Sequence, residues 1–270
     1  PISPRPMNPT APTLTPTTVK GGLTGFGNLL DKELGSWWRT RRWLVHLVLW
    51  QVVISGFVLM INLELRGEST PERAVSETMQ IFFQAGGFFA LIGAVLVTQG
   101  AIVGEKSSGT AAWVLTKPTT RKSLILSKFV GITATFLLLA LVIPAVAVLG
   151  TLQLIWGKIP DPIHFAEAVG IIGLHQIFYI AFTLMLGSFL NSRGPVSGIA
   201  LGFWVSGFII PNFAPKWLAM LTPWSLTQSA ASIAVWQPVP GRLWVPVLST
   251  AVLAIGSILL ALWRFEREEF

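Results

Sequence analysis

The stretch from Gly104 to Pro118, GEKSSGTAAWVLTKP, holds the residues closest to a recognisable chemical device. Gly104 and Gly109 have the spacing of a phosphate-binding loop, in which bare glycines let backbone amides approach phosphate oxygens. That loop also requires a lysine directly after its second glycine, and Thr110 stands there instead. It follows a strand of an α/β domain, whereas an apolar run precedes Gly104. The spacing therefore predicts no nucleotide site. His46, His164 and His175 fall in separate parts of the chain, and no Glu-x-x-His or His-Glu-x-x-His spacing joins them. There is no cysteine, which excludes disulfides, thiolate metal sites and thiol nucleophiles. A G-x-S-x-G nucleophile elbow is absent too. These residues predict neither an enzyme nor a cofactor site on this chain.

The elements that carry the loop are membrane elements. Of 270 residues, 52% are hydrophobic and 11% charged, with a mean hydropathy of +0.66. Soluble domains carry about 25% charged residues. Twelve tryptophans against one tyrosine also suit a chain with many side chains at the membrane–water interface. A bilayer-crossing helix needs about 20 mostly apolar residues. Six segments fit, at about 43–63, 79–103, 124–155, 168–190, 195–210 and 245–263. The third exceeds one crossing, so its start is interfacial. The fifth is short, and Pro211 ends it. The apolar stretch that follows is broken by prolines, which predicts short re-entrant or outer helices whose backbone groups are covered by protein.

Residues 1–25 are rich in proline and threonine and lack the apolar core of a secretory signal, so they read as a mobile tail. Residues 28–42 read as an amphipathic helix lying in the membrane plane. Leu30, Leu34, Trp37 and Trp38 share one face, Asp31, Lys32, Arg39 and Arg42 lie off it, and Asn28 is placed to cap it.

With the N terminus in the cytoplasm, fourteen of the 19 basic residues lie on the inner side, which makes both termini cytoplasmic. Charges spread along membrane borders form no basic domain, so nucleic acid is not an expected partner. No charged residue lies deep in a span, which argues against an ion-coupled transporter.

The Gly104–Pro118 loop has its own organisation. Ser107 or Ser108 can cap a short helix over about 108–116, and Pro118 stops it. Gly194, Gly198, Gly202 and Ser206 recur every four residues, a strip that lets two membrane helices approach closely, within one chain or between two. Gln84, Gln99, Gln176 and Tyr179 either line a passage or bond between helices.

This order of parts resembles the permease subunit of ABC-2 type transporters. The loop is similar to that family's signature: Glu105-Lys106, Gly109-Thr110, the apolar turn Ala111–Leu115, Pro118, and a basic return at Arg121 and Lys128. The resemblance covers about residues 28–265. It implies an all-α polytopic fold with six transmembrane helices and an elbow helix, set in the plasma (inner) membrane. It implies that Gly109, Thr110, Ala111, Ala112, Trp113, Val114 and Leu115 form a coupling helix on a separate ABC ATP-binding subunit, present in two copies and holding ATP and magnesium. Trp113 is the anchor, since buried indoles are frequent hot spots. Glu105 is expected to brace the loop against Arg41 or Arg42 of the elbow. Gly194, Gly198, Gly202 and Ser206 would pack against a second permease copy or a paralogue. The implied function is ATP-driven export through the paired permeases. The competing reading is a non-transporting membrane anchor or assembly subunit of another complex.

Overall fold

The computed structural model describes residues 21–109, 118–213, 215–237 and 243–268, and the regular elements among them are all helical. A first helix, α1 (Phe26–Trp38), is followed by a turn at 39–41. Six helices are long and apolar enough to cross a membrane: α2 (Arg42–Leu65), α3 (Pro71–Ser107), α4 (Arg121–Trp156), α5 (Pro162–Phe189), α6 (Arg193–Phe213) and α9 (Trp244–Glu266). Two short helices, α7 (Lys216–Met220) and α8 (Leu226–Ala234), stand between α6 and α9. The chain is an all-α, multi-pass membrane protein.

Several helices begin well outside the apolar segments, because polar capping sets their ends. Thr70 accepts from the Arg73 amide, with Pro71 in the first turn of α3. Thr120 accepts from Ser123 N at 3.1 Å and starts α4. Asp161 accepts from Ile163 N and His164 N, each at 3.0 Å, and Pro162 opens α5. Proline suits that position, since the missing N–H would be unpaired there anyway.

Three expectations about boundaries change. Asn28 lies exposed inside α1, and the cap position is Gly25, whose φ of +82° no β-carbon would favour. Residues 21–25 are part of the described structure, because Thr120 N donates to Thr24 O at 3.1 Å and Thr120 Oγ1 to Gly22 O at 2.9 Å. Pro211 does not end α6, which runs on to Phe213. Within the last turn a proline interrupts a single backbone bond, which the helix end tolerates.

The core lies between α2, α3, α4, α5 and α8. Each of the first three crossing helices widens into one π-helical turn, at Gln51–Gly56, Phe82–Gly86 and Leu138–Val142. Ile54, Phe82, Phe83 and Leu141 from these turns meet Ile172 of α5 in the apolar centre. Trp50 lies across Gly93, where a β-carbon would come within 2.2 Å of the indole, and meets Phe136 edge-on at 5.6 Å.

Near the end of α2 remote from α1, Asn62 is fully buried. It exchanges hydrogen bonds with Thr78 and accepts from Trp156 Nε1 at 2.8 Å, tying α2, α3 and α4 together. Helix α8 is inserted rather than peripheral: Ala230, Ala231 and Ala234 are buried in the core, so protein covers its backbone. Helix α6 is the reverse case, with 11% of its apolar window buried against 61% for α5.

Candidate functional site

The charged residues of interest gather at the end of the bundle where the first and last described residues lie. Arg121 donates to the carbonyls of Phe265 at 3.1 Å and Glu266 at 2.8 Å, and also to that of Glu268. Lys106 reaches Ser188 O at 2.8 Å and Glu268 Oε1 at 3.2 Å. Glu268 is held in addition by Arg264 at 2.7 Å. Gly25 packs where a β-carbon would lie 2.5 Å from Thr119 Cγ2. The segment between Gly109 and Pro118 is thus anchored on both sides: at Lys106 to the end of α5 and the end of α9, and at 119–121 to the start of α1 and the same end of α9.

The inner layer of this site is a buried triad. Lys128 Nζ lies 2.8 Å from Glu33 Oε1 and 2.8 Å from Glu105 Oε1, and the three side chains are 6%, 14% and 12% exposed. Lys32 adds a longer contact to Glu105, 3.7 Å, from a half-exposed position. The local sequence explains the placement. Glu33 sits four residues after Leu29 and four before Trp37, both buried, so it shares the face of α1 turned to the protein. Gly131 on α4 removes the β-carbon that would meet Glu33 Cβ at 3.0 Å, letting the two helices close. Buried charges are tolerable only when paired, and Lys128 pairs two carboxylates at once. It joins α1, α3 and α4.

This corrects the expected brace. Glu105 pairs with Lys128 and Lys32, not with Arg41 or Arg42. Those arginines lie past the end of α1, in the turn to α2 and at its first residue, whereas Lys32 and Glu33 are within α1 beside the triad. Arg42 instead lies over the Trp37 ring at 4.9 Å.

Beside the triad opens a cavity of about 650 Å³, bordered by α1, α2, α3, α4 and the start of α6. Glu33, Arg42, Glu105, Lys128 and Arg193 supply its charged lining, and His46 and Gln99 are among its other polar residues. Arg193 lies against bare backbone: a β-carbon on Gly100 would sit 3.2 Å from its Nε, and one on Gly104 3.7 Å from a terminal nitrogen. Among the described residues, no three His, Asp or Glu side chains converge as a metal site.

A profile of the family described as ABC-2 family transporter protein matches residues 28–270. The chain belongs to the ABC-2 transporter family. It is also 27% identical over 179 residues to the Probable ABC transporter permease protein NosY of Stutzerimonas stutzeri. That similarity covers 66% of this chain, and the chain spans 64% of that relative's length.

On this ABC-2 chain the sequence-predicted residues fall as follows. Gly109 is described, with φ +67°, at the entry to the loop. Thr110, Ala111, Ala112, Trp113, Val114 and Leu115, with the predicted 108–116 helix, lie outside the described residues except at Ser108 and Gly109. Gly194, Gly198 and Gly202 lie exposed on α6, and a β-carbon at any of them would have no other side chain within 4 Å. Ser206 is half-buried, donating to Phe203 O at 2.6 Å. Gln84 donates to Gln228 at 3.3 Å and Gln176 to Gly87 O at 3.1 Å, so both bond between elements; Gln99 borders the cavity, and Tyr179 is wholly buried.

Sequence reasoning missed Glu33 and Glu268, the contacts of Lys106 to Ser188 and Glu268, and the double role of Lys128. The available signal was the burial stripe of α1. Leu29, Glu33 and Trp37 at four-residue spacing put a carboxylate on the packed face. Of the stripe Leu30, Leu34, Trp37 and Trp38, Trp37 is buried and the two leucines are half-buried, but Trp38 is 41% exposed.

Proposed function

We propose that this chain is the permease subunit of an ATP-driven ABC-2 exporter. Two permeases form the path, and Gly109–Leu115 rests on a separate ABC ATP-binding subunit. The observation that best supports this is the double anchoring of the 109–118 segment. Each flank is tied by ion pairs or backbone hydrogen bonds to other helices, and Glu105 enters the buried triad. A load on the loop then passes into α1, α3, α4 and α9 together and does not dissipate in a slack connection. An idle surface loop has no need of a doubly paired, desolvated lysine at its base.

The second copy, or a paralogue, packs on α6 along Gly194, Gly198 and Gly202, with α2 beside it. Both helices are thinly covered within the chain, with 11% and 17% of their apolar windows buried. Bare backbone at four-residue spacing favours close helix–helix approach. The chain binds no cofactor itself; ATP and magnesium belong to the partner. The orientation is that of an inner-membrane protein with both termini cytoplasmic, supported by the basic residues at the end that carries them.

The test is co-reconstitution of the full chain with its ATP-binding partner in vesicles. The Trp113→Ala variant should insert normally and lose the permease-dependent part of ATP hydrolysis. Loss of a central aromatic anchor costs about 2 kcal/mol or more, so binding falls by more than about tenfold. Unchanged hydrolysis and unchanged partner binding would overturn the assignment and leave the anchor-subunit reading.

A further inference from the structure

We infer that the cavity beside the triad holds the phosphate of a membrane phospholipid, gripped by Arg42 and Arg193. The inference rests on the membrane placement of the helices and not on the transport reading. Three observations carry it.

The first is uncompensated charge. The two carboxylates of the lining are matched by Lys128, with Lys32 near Glu105. Among the described residues, neither Arg42 nor Arg193 has a carboxylate within 4.0 Å, and neither guanidinium donates a hydrogen bond. Two guanidiniums lining one cavity are planar, fork-shaped donors whose natural partner is a phosphate or carboxylate.

The second is shaping. Gly100 and Gly104 leave room for the Arg193 guanidinium against the backbone of α3, at a place where a β-carbon would crowd it at 3.2 Å. Arg42 is held over Trp37, and Trp37 in turn is 4.9 Å from the His46 ring. Each cation, though exposed, has a packing partner, Trp37 for Arg42 and the bare Gly100 backbone for Arg193. Nearby, Glu105 Oε2 is buried without a hydrogen-bond partner, an acceptor suited to a headgroup hydroxyl.

The third is an apolar continuation. Leu96 borders the same cavity and is 52% exposed, and Val45 and Leu49, on the face of α2 that carries Arg42, are 62% and 45% exposed. This places acyl-chain surface directly beside the phosphate donors. A free phosphate would use the arginines alone, whereas a phospholipid uses both. Phosphatidylglycerol, an anionic phosphate with hydroxyls, matches the set best, and basic pockets between membrane helices commonly hold such headgroups.

Full-length protein, exchanged into mixed phosphatidylglycerol and phosphatidylcholine and then delipidated, should retain phosphatidylglycerol in native mass spectrometry. Arg42→Gln and Arg193→Gln should each lower retention about fivefold, corresponding to one basic contact. Gly100→Ala keeps every charge but displaces Arg193, and should also weaken retention; Arg66→Gln, outside the cavity, should not. Thermal unfolding of each variant checks the fold. Equal retention by wild type and the two cavity arginine variants would overturn the site. Displacement of the lipid by inorganic phosphate at millimolar concentration would overturn its assignment to a lipid and leave a soluble phosphate ligand.

Discussion

The Lys128 ammonium lies 2.8 Å from the Glu105 carboxylate, with both side chains nearly excluded from solvent. Glu33 sits at the same distance on its other side. Removing Lys128 leaves Glu33 without a counter-charge and Glu105 with only the longer contact to half-exposed Lys32. Lys128→Met should therefore cost about 3–5 kcal/mol. Combining it with Glu33→Gln and Glu105→Gln should recover part of that loss, since no buried charge then remains unpaired. Denaturant unfolding of the purified chain in micelles measures both.

Gly93 and Trp50 form a close contact between the first two crossing helices. A β-carbon at Gly93 would fall 2.2 Å from the indole and 3.4 Å from Phe136, which meets the Trp50 ring edge-on. Gly93→Ala should cost about 1–3 kcal/mol through overpacking. Trp50→Leu in the same chain should relieve most of the penalty. A double-mutant cycle on thermal stability reads the coupling.

Asn62 is the shared partner of Thr78, Trp156 and the Val58 carbonyl. Asn62→Leu should destabilise by about 1–2 kcal/mol, the scale of interhelical hydrogen bonds in membranes. It also leaves the Trp156 N–H without its acceptor. Trp156→Phe added to Asn62→Leu should then cost little, which unfolding of the single and double variants checks.

Asp161 caps α5, and acceptance from the His164 amide, then its side chain and the Ile163 amide, holds its carboxyl below the ordinary carboxylate range. A lowered folded value means the cap contributes fully at neutral pH. The contribution declines as pH drops through the normal aspartate range near about 4 and is lost below the lowered folded value. Asp161→Ala should lower the melting temperature at pH 7, with the difference from wild type closing in strong acid. Melting curves at pH 7 and below about pH 3 test the sign.

The six crossings were legible because lipid demands long apolar runs, and those runs are explicit in the sequence. Their ends were not: Thr70, Thr120 and Asp161 cap helices outside the apolar windows, where hydropathy carries no signal. Pro211 misled because a proline in a last turn costs less than one at mid-helix. The site was half legible. The order Glu105, Gly109, Pro118 marked the loop, but the partner of Glu105 depended on which face of α1 packs. One residue of rotation, from Leu30 to Leu29, moves Glu33 and Lys32 beside Glu105 and leaves Arg41 and Arg42 outside the triad. Local periodicity in a helix with tryptophans on adjacent positions does not resolve that rotation; the pairing of Glu33 with Lys128 of α4 does.

Whether the loop from Gly104 to Pro118 seats this chain on an ABC ATP-binding subunit is tested most directly by affinity purification. The tagged full chain is drawn from its native membrane, and bound proteins are identified and quantified by mass spectrometry. An ABC ATP-binding subunit should be recovered with the wild-type chain and reduced by more than about tenfold with Trp113→Ala, while membrane insertion is unchanged. Recovery of the wild-type chain with no ATP-binding subunit, or equal recovery of that subunit with Trp113→Ala, would contradict the seating.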